Sequence, residues 1–370
     1  MAADTLPTDA EISAVLTTRV ETERRASGIV VGVIDAQGRR VIACGAPGSG
    51  GRPLDGKTAF EIGSVTKVFT SLLLADMVRC GEVALDDPAA TYLPPGMTLP
   101  ERDGTPITLL DLATHTSGLP RLPGNLKPRD PADPYAGYSD AKLYDGLRGA
   151  RLNSPPGAAY VYSNLGAGLL GQLLARRAGL PYADLITARI TGPLGLTDTA
   201  ITLSPEQTLR RAVGHDEGLS PVGSWTMDSL AGAGGLSSTA DDLLVFLAAA
   251  LGYDQTPLHG AMADQLVPRR PAGAGTLVAL GWHISPIPGG EIVWHNGGTG
   301  GFRSFVGFDR ARSIGVVVLV DTASAVGGDD IALHLLAGAP LSKPAPVRQA
   351  VAAGARFVER CVGRYLRRRG

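Results

Sequence analysis

Apolar residues recur along this chain at two spacings. Val65, Val68, Phe69, Leu72, Leu73 and Met77 follow the helical period and predict a helix with one buried stripe, ending near Gly81. A second stripe, Ile12, Val15, Leu16 and Val20, follows Thr8-Asp9-Ala10-Glu11, which has the form of a capping box. Thr108 opens a third helix through Leu109, Leu110 and Leu112, and further helical runs cover residues 141–150, 165–178, 241–251, 330–336 and 347–365. Extended, β-branched runs at 29–35 and 40–44 flank an Ala-Gln-Gly turn and predict a hairpin. Four more strands are expected at 278–284, 291–295, 303–309 and 314–321, the last apolar on both faces.

The order of these elements predicts an α+β fold. Strands at both chain ends would join in one antiparallel sheet, and a mostly helical region would be inserted between them. The expected division of this single catalytic domain is a sheet part at about 1–80 and 271–370 and a helical part at about 81–270. Gly166, Gly168 and Gly171 within one helix imply close packing there. Residues 120–137 are rich in Pro and Gly and read as a long loop, the kind that borders binding sites.

Composition narrows the function. At 370 residues, 44% hydrophobic and 19% charged, the chain is an ordinary globular protein. Its formal net charge of −1 argues against nucleic acid as a partner. No apolar run reaches membrane-spanning length, and residues 1–14 have neither a basic nor an apolar signal segment, so a cytoplasmic protein with no membrane partner is expected. Cys44, Cys80 and Cys361 stand at unrelated spacings and read as reduced thiols. The six histidines form no metal-binding spacing, so no metal is expected.

Candidate chemistry begins at Ser64. It follows Gly63 at the start of the apolar helix, and Lys67, three residues on, lies on the same face. A serine hydroxyl is a weak nucleophile until a neighbour takes its proton, and a desolvated lysine can do that. Ser-x-x-Lys should arise about once by chance in a chain of this length, and here it occurs at Ser64 and again at Ser139. Ser139 follows Pro and Gly residues and precedes a helical run, so it reads as an N-cap, with Lys142 on the polar face. Two other motifs occur once each. Tyr162-Ser163-Asn164 precedes a helix, and His295-Asn296-Gly297-Gly298-Thr299-Gly300-Gly301-Phe302 joins two strands, where its glycines let backbone approach a ligand.

Together and in this order, these motifs resemble those of the serine β-lactamase and penicillin-binding-protein superfamily, most closely class C β-lactamases and family VIII esterase-like relatives. Residues 60–67 reproduce the class C frame around the nucleophile, residues 109–120 are similar to the next block, and residues 297–302 match the third motif. The resemblance implies a β-lactamase/transpeptidase-like fold and an acyl-enzyme on Ser64. Lys67 would act as base alone or with Tyr162, and Asn164 would orient Lys67 and the substrate amide. Gly297, Gly298 and Thr299, with His295, would bind substrate, and the N–H groups of Ser64 and Gly298 would hold the oxyanion. It implies a small-molecule substrate and no cofactor. The superfamily's third motif begins Lys-Thr-Gly; here His295 and Asn296 replace the Lys and Thr, as His does in family VIII and D-aminopeptidase-like relatives. That lysine helps bind the β-lactam carboxylate, so a weaker and pH-dependent hold on anionic substrates is expected. β-Lactamase, esterase, and D-amino-acid peptidase or acyltransferase all use this machinery; a non-catalytic β-lactam- or peptide-binding module is the competing class. The sequence Val362-Gly363-Arg364-Tyr365 is also similar to the opening strand of a C-terminal barrel in some relatives.

Overall fold

The computed structural model describes residues 6–46, 48, 51–324 and 328–342. The expected helix at 347–365 and the barrel-like Val362 to Tyr365 lie outside them. Eight strands form one antiparallel sheet: β1 (Gly28–Asp35), β2 (Gly38–Gly45), β5 (Arg270–Gly273), β6 (Thr276–Val278), β7 (His283–Ile287), β8 (Gly290–Gly298), β9 (Arg303–Asp309) and β10 (Ile314–Val320). Their order is β2-β1-β10-β9-β8-β7-β6-β5, so the amino-terminal hairpin adds to the carboxy-terminal strands through β1 and β10. Two short strands, β3 (Phe60–Glu61) and β4 (Ser237–Ser238), pair separately. The helices are α1 (Asp9–Thr17), α2 (Thr66–Arg79), α3 (Leu109–Ala113), α4 (Asp140–Arg148), α5 (Asn164–Ala178), α6 (Tyr182–Ile186), α7 (Pro205–Thr208), α8 (Ala231–Gly234), α9 (Ala240–Leu251), α10 (His259–Gln265) and α11 (Asp329–Ala337).

The sheet is covered on both faces, which is why its central strands carry no polar alternation. Ile29, Val31 and Val33 of β1, with Val316 and Val318 of β10, pack with Ile12 and Leu16 of α1 and Ile331 and Leu335 of α11. The intervening Val30, Val317 and Leu319 join the larger core with α2 and α9. Period two thus sends alternate residues of one strand into different cores.

Local chemistry explains most boundaries. The Thr8 side chain accepts from the Glu11 N–H while Glu11 accepts from the Thr8 N–H, and Thr108 and Asp111 do the same at α3. After Thr17 the first helix widens into a π-helical turn, Thr18–Thr22. The strand expected at 278–284 is two strands. Gly281, at φ +74°, turns the chain between them, and a β-carbon there would lie 2.7 Å from the Lys67 carbonyl oxygen on α2. Ser139 stands at the N-cap of α4 with extended backbone, yet its side chain makes no capping bond. Cys44 and Cys80 are free thiols. No helix among the described residues is long and apolar enough to cross a membrane.

Candidate active site

Ser64 sits in a single 3-10 turn, Gly63–Val65, that feeds directly into α2. The turn is pinned from both sides. The Ile62 N–H donates to the Leu236 carbonyl at 3.0 Å, and the Leu236 N–H donates to Thr66 Oγ1 at 3.1 Å. Glycine is required where the turn meets β8. Gly63 has φ +48°, and a β-carbon on it would fall 2.6 Å from the Gly298 nitrogen. One on Gly297 would fall 2.0 Å from the Ile62 carbonyl oxygen and 2.9 Å from the Ser64 nitrogen. Two bare backbones therefore meet at this turn, bringing Gly297 and Gly298 beside Ser64.

Lys67 is buried, at 2% exposure, where α2 packs against α5 and α8. Its Nζ lies 2.9 Å from Ser64 Oγ and donates to the Ala233 carbonyl of α8 at 2.6 Å. Burial drives its pKa well below 10.5, and the nearby Arg121 cation lowers it further. An amine in this state can be neutral and accept a proton. The expected bond from Asn164 to Lys67 is not formed. Backbone at Ala233 takes that place, and the buried Asn164 Oδ1 has no hydrogen-bond partner.

Tyr162 arrives on an extended run whose backbone is fixed by His115. Val161 N–H donates to the His115 carbonyl at 2.8 Å, and Ser163 N–H donates to His115 Nδ1 at 3.2 Å. The Ser163 hydroxyl then caps α5 by accepting from the Gly166 N–H, and Asn164 begins that helix. His115 adopts φ +58°, and its ring lies 4.3 Å from that of Tyr162. The Lys67 ammonium position is 4.8 Å from the Tyr162 ring centre. Burial pushes the Tyr162 phenol up to about 12, opposed by its contact with the Ser64 hydroxyl, so the phenol keeps its proton at neutral pH.

His295 does not stand where a charged substrate reader would. It is 1% exposed, its Nδ1 donates to the Asn296 carbonyl at 2.6 Å, and its buried Nε2 has no partner. The ring lies 5.3 Å from that of His283 and 6.4 Å from that of Tyr162. Burial, then the neighbouring His283 and Lys67, hold its pKa well below 6.5, so it is neutral at pH 7. The expectation of a partly charged histidine fails because β8 is covered at this point. The next residue, Asn296, faces the cavity instead.

That cavity has a volume of about 440 Å³, and Ser64, Tyr162, Asn164, Gly297, Gly298 and Thr299 all line it. The Thr299 side chain is buried and lies towards the Glu61 carboxyl. Several wall residues carried no motif in the sequence. Arg121 comes from the long loop, with its guanidinium 5.2 Å from the Tyr162 ring centre. Tyr135 and Trp225 meet edge to face at 5.3 Å, and the Tyr160 hydroxyl lies 2.9 Å from His283 Nε2. Arg303 and Asp329 close another side. Only Tyr160 could have been anticipated, since an extended chain puts residues 160 and 162 on one face. Among the described residues, no group of side chains is arranged to hold a metal ion.

The comparisons agree with this architecture. The Beta-lactamase family model matches residues 12–339. The chain is similar to the D-alanyl-D-alanine-carboxypeptidase/endopeptidase AmpH of Escherichia coli (strain K12), 34% identical over 345 residues, 86% of this chain and 88% of that protein. A beta-lactamase of the same strain is 29% identical over 308 residues, covering 73% and 77%. Among solved structures, a class C beta lactamase from Rhodobacter sphaeroides aligns with a TM-score of 0.73 at 26% identity, over 84% of this chain and 94% of that one. D-alanine carboxypeptidase AmpC from Burkholderia cenocepacia aligns with a TM-score of 0.72 at 28% identity, over 85% and 95%.

Proposed function

This chain belongs to the beta-lactamase family of serine hydrolases, and from that premise we propose that it cleaves peptide-like amides and esters through an acyl-enzyme on Ser64, with β-lactams as slower substrates. The observation that carries this reading is the buried Lys67 Nζ, 2.9 Å from Ser64 Oγ and biased towards its neutral form.

Lys67 takes the proton as Ser64 Oγ attacks the carbonyl carbon. The carbonyl oxygen becomes an oxyanion beside the N–H groups of Ser64 and Gly298, each such donor being worth ~3 kcal/mol. Collapse expels the leaving group, which needs a proton. Tyr162 gives it and is reprotonated through Lys67, a role suited to a phenol that stays protonated. Water then attacks the ester and gives its proton to neutral Lys67, and that proton passes to Ser64 Oγ, directly or with Tyr162 as relay, as the acid leaves. The unpartnered Asn164 Oδ1 accepts from the substrate amide N–H.

The peptidase side of this chemistry is favoured by the 34% identical carboxypeptidase/endopeptidase relative and by the neutral His295 where the superfamily keeps a lysine. The remaining cations of the cavity are Arg121 and Arg303, so a substrate carboxylate is read by arginine. Purified protein is to be assayed on D-alanyl-D-alanine peptides, p-nitrophenyl esters and a chromogenic cephalosporin, with intact-mass detection of the adduct. Peptide and ester turnover lost in Ser64→Ala supports the reading. A cephalosporin turned over faster than every peptide and ester would return the protein to β-lactam hydrolysis as its main activity.

A further inference from the structure

Among the described residues, Asp329 contributes the one carboxyl group that lines the cavity beside Ser64. It begins α11, and Gly328 beside it also faces the cavity. Asn296 Nδ2 donates to Asp329 Oδ2 at 2.7 Å, joining the helix to β8 two residues from the Gly298 nitrogen that meets the Ser64 turn. Arg303, on the adjacent β9, lines the same wall, and its Nη1 donates to the Thr299 and Phe302 carbonyls at 3.0 and 2.9 Å. This wall thus presents a fixed guanidinium beside an acid. With His295 buried and neutral behind it, Asp329 is the group that can set a negative charge on this wall against the Arg303 cation.

We propose that Asp329 is a specificity-determining residue that receives a protonated amino group of the substrate, so that this wall of the cavity favours an ammonium group where the arginines alone would favour only a carboxylate. This rests on the acyl-enzyme reading above. The group is positioned by Asn296, and a cationic amine between it and the cavity would be desolvated enough for charge complementarity to count. Burial pushes the Asp329 carboxyl up to about 7; the bond from Asn296 and the Arg303 cation pull it back, and the neighbouring Asp330 raises it. Asp330 is itself paired with Arg19, and Arg303 also feels Glu217. Because the folded pKa of this acid is raised, its carboxylate fraction grows across pH 6 to 8. The ammonium preference should therefore grow with pH.

The test uses matched esters ending in ammonium, methyl or carboxylate, with that group on the acyl chain in one series and on the alcohol in the other. In the wild type, the ratio of kcat/KM for ammonium over carboxylate should rise from pH 6 to pH 8 in one series. Asp329→Asn, which keeps the shape and an oxygen for Asn296, should lower that ratio roughly tenfold at pH 8 and flatten its pH dependence. Asp329→Glu should preserve the direction of the preference. A ratio that is flat in the wild type, or unchanged in Asp329→Asn, overturns the assignment, and the wild-type arm needs no variant to fold. Ser64→Ala separates the two readings. Methyl-ester turnover that survives it removes the hydrolase mechanism, whereas Ser64-dependent turnover with a flat ratio removes only the role of Asp329.

Discussion

The chain holds two copies of one motif, and they lead opposite lives. Ser64 and Lys67 open α2, Lys67 is nearly sealed from solvent, and its Nζ is within hydrogen-bond reach of the serine. Ser139 and Lys142 open α4 at the same spacing, but both are exposed, and Lys142 Nζ donates to the Gly137 carbonyl at 2.6 Å. The spacing lets two side chains touch; only burial changes what the lysine is. The helices tell the two apart, since α2 is buried around most of its circumference whereas α4 buries only Leu143 and Leu147.

The largest effect that would sharpen this contrast is at the nucleophiles. Ser64→Ala should reduce ester turnover by about 10^4-fold or more and abolish the adduct with a fluorophosphonate or labelled penicillin, while Ser139→Ala leaves both intact. An adduct mapping to Ser139 by peptide mass would break the comparison outright. Next come the lysines. Lys67→Met should lower kcat by about 10^3-fold, and Lys142→Met should leave it unchanged. In the wild type, kcat/KM for a neutral ester should fall as pH drops through the lowered Lys67 pKa, because protonation removes the base. A profile whose acid limb moved on Lys142→Met would contradict this.

Tyr162→Phe should cost about 10^2-fold in turnover with the fold unchanged by circular dichroism. With the phenol up at about 12, no second ionisation from Tyr162 should enter the rate below pH 9. Double variants of Lys67 and Tyr162 should be strongly non-additive if the two share one proton path. The smallest effect is expected at His295. Since that ring is neutral already, His295→Gln should change kcat/KM for an anionic and a neutral ester by the same factor, within about twofold, across pH 5.5 to 8.5. A selective, pH-dependent loss on the anionic ester would restore His295 as a charge reader.

The parts of the molecule that could be read from sequence are those set by local rules. The capping residues Thr8 and Thr108, the hairpin at Gly38, and the apolar run of β10 all declare themselves within a few positions. The Ser64 turn did so too, because its glycine and its apolar helix are contiguous. What failed depended on distant packing. The break at Gly281 follows from a helix some two hundred residues earlier pressing on it. The resemblance put His295 among the substrate-binding residues because it replaces the superfamily's lysine, but the cluster with His115, His283 and Tyr162 around it is assembled from separate parts of the chain. Asp329 and Arg303 carry no motif at all, and only the closing of β8 and β9 against α11 turns them into a wall.

The seam between Gly63 and Gly297 and Gly298 has a bearing on how this enzyme could change over time or be re-engineered. A single methyl group at Gly297 would collide with the Ile62 carbonyl and crowd the Ser64 nitrogen, so the reaction centre offers no room for gradual adaptation. New substrate ranges must instead be explored on the far walls, at Arg121, Trp225 and Asp329, where a substitution alters what the cavity admits without displacing the peptide groups beside Ser64. The architecture thus divides its own sequence into a part held fixed by steric exclusion and a part left open to variation.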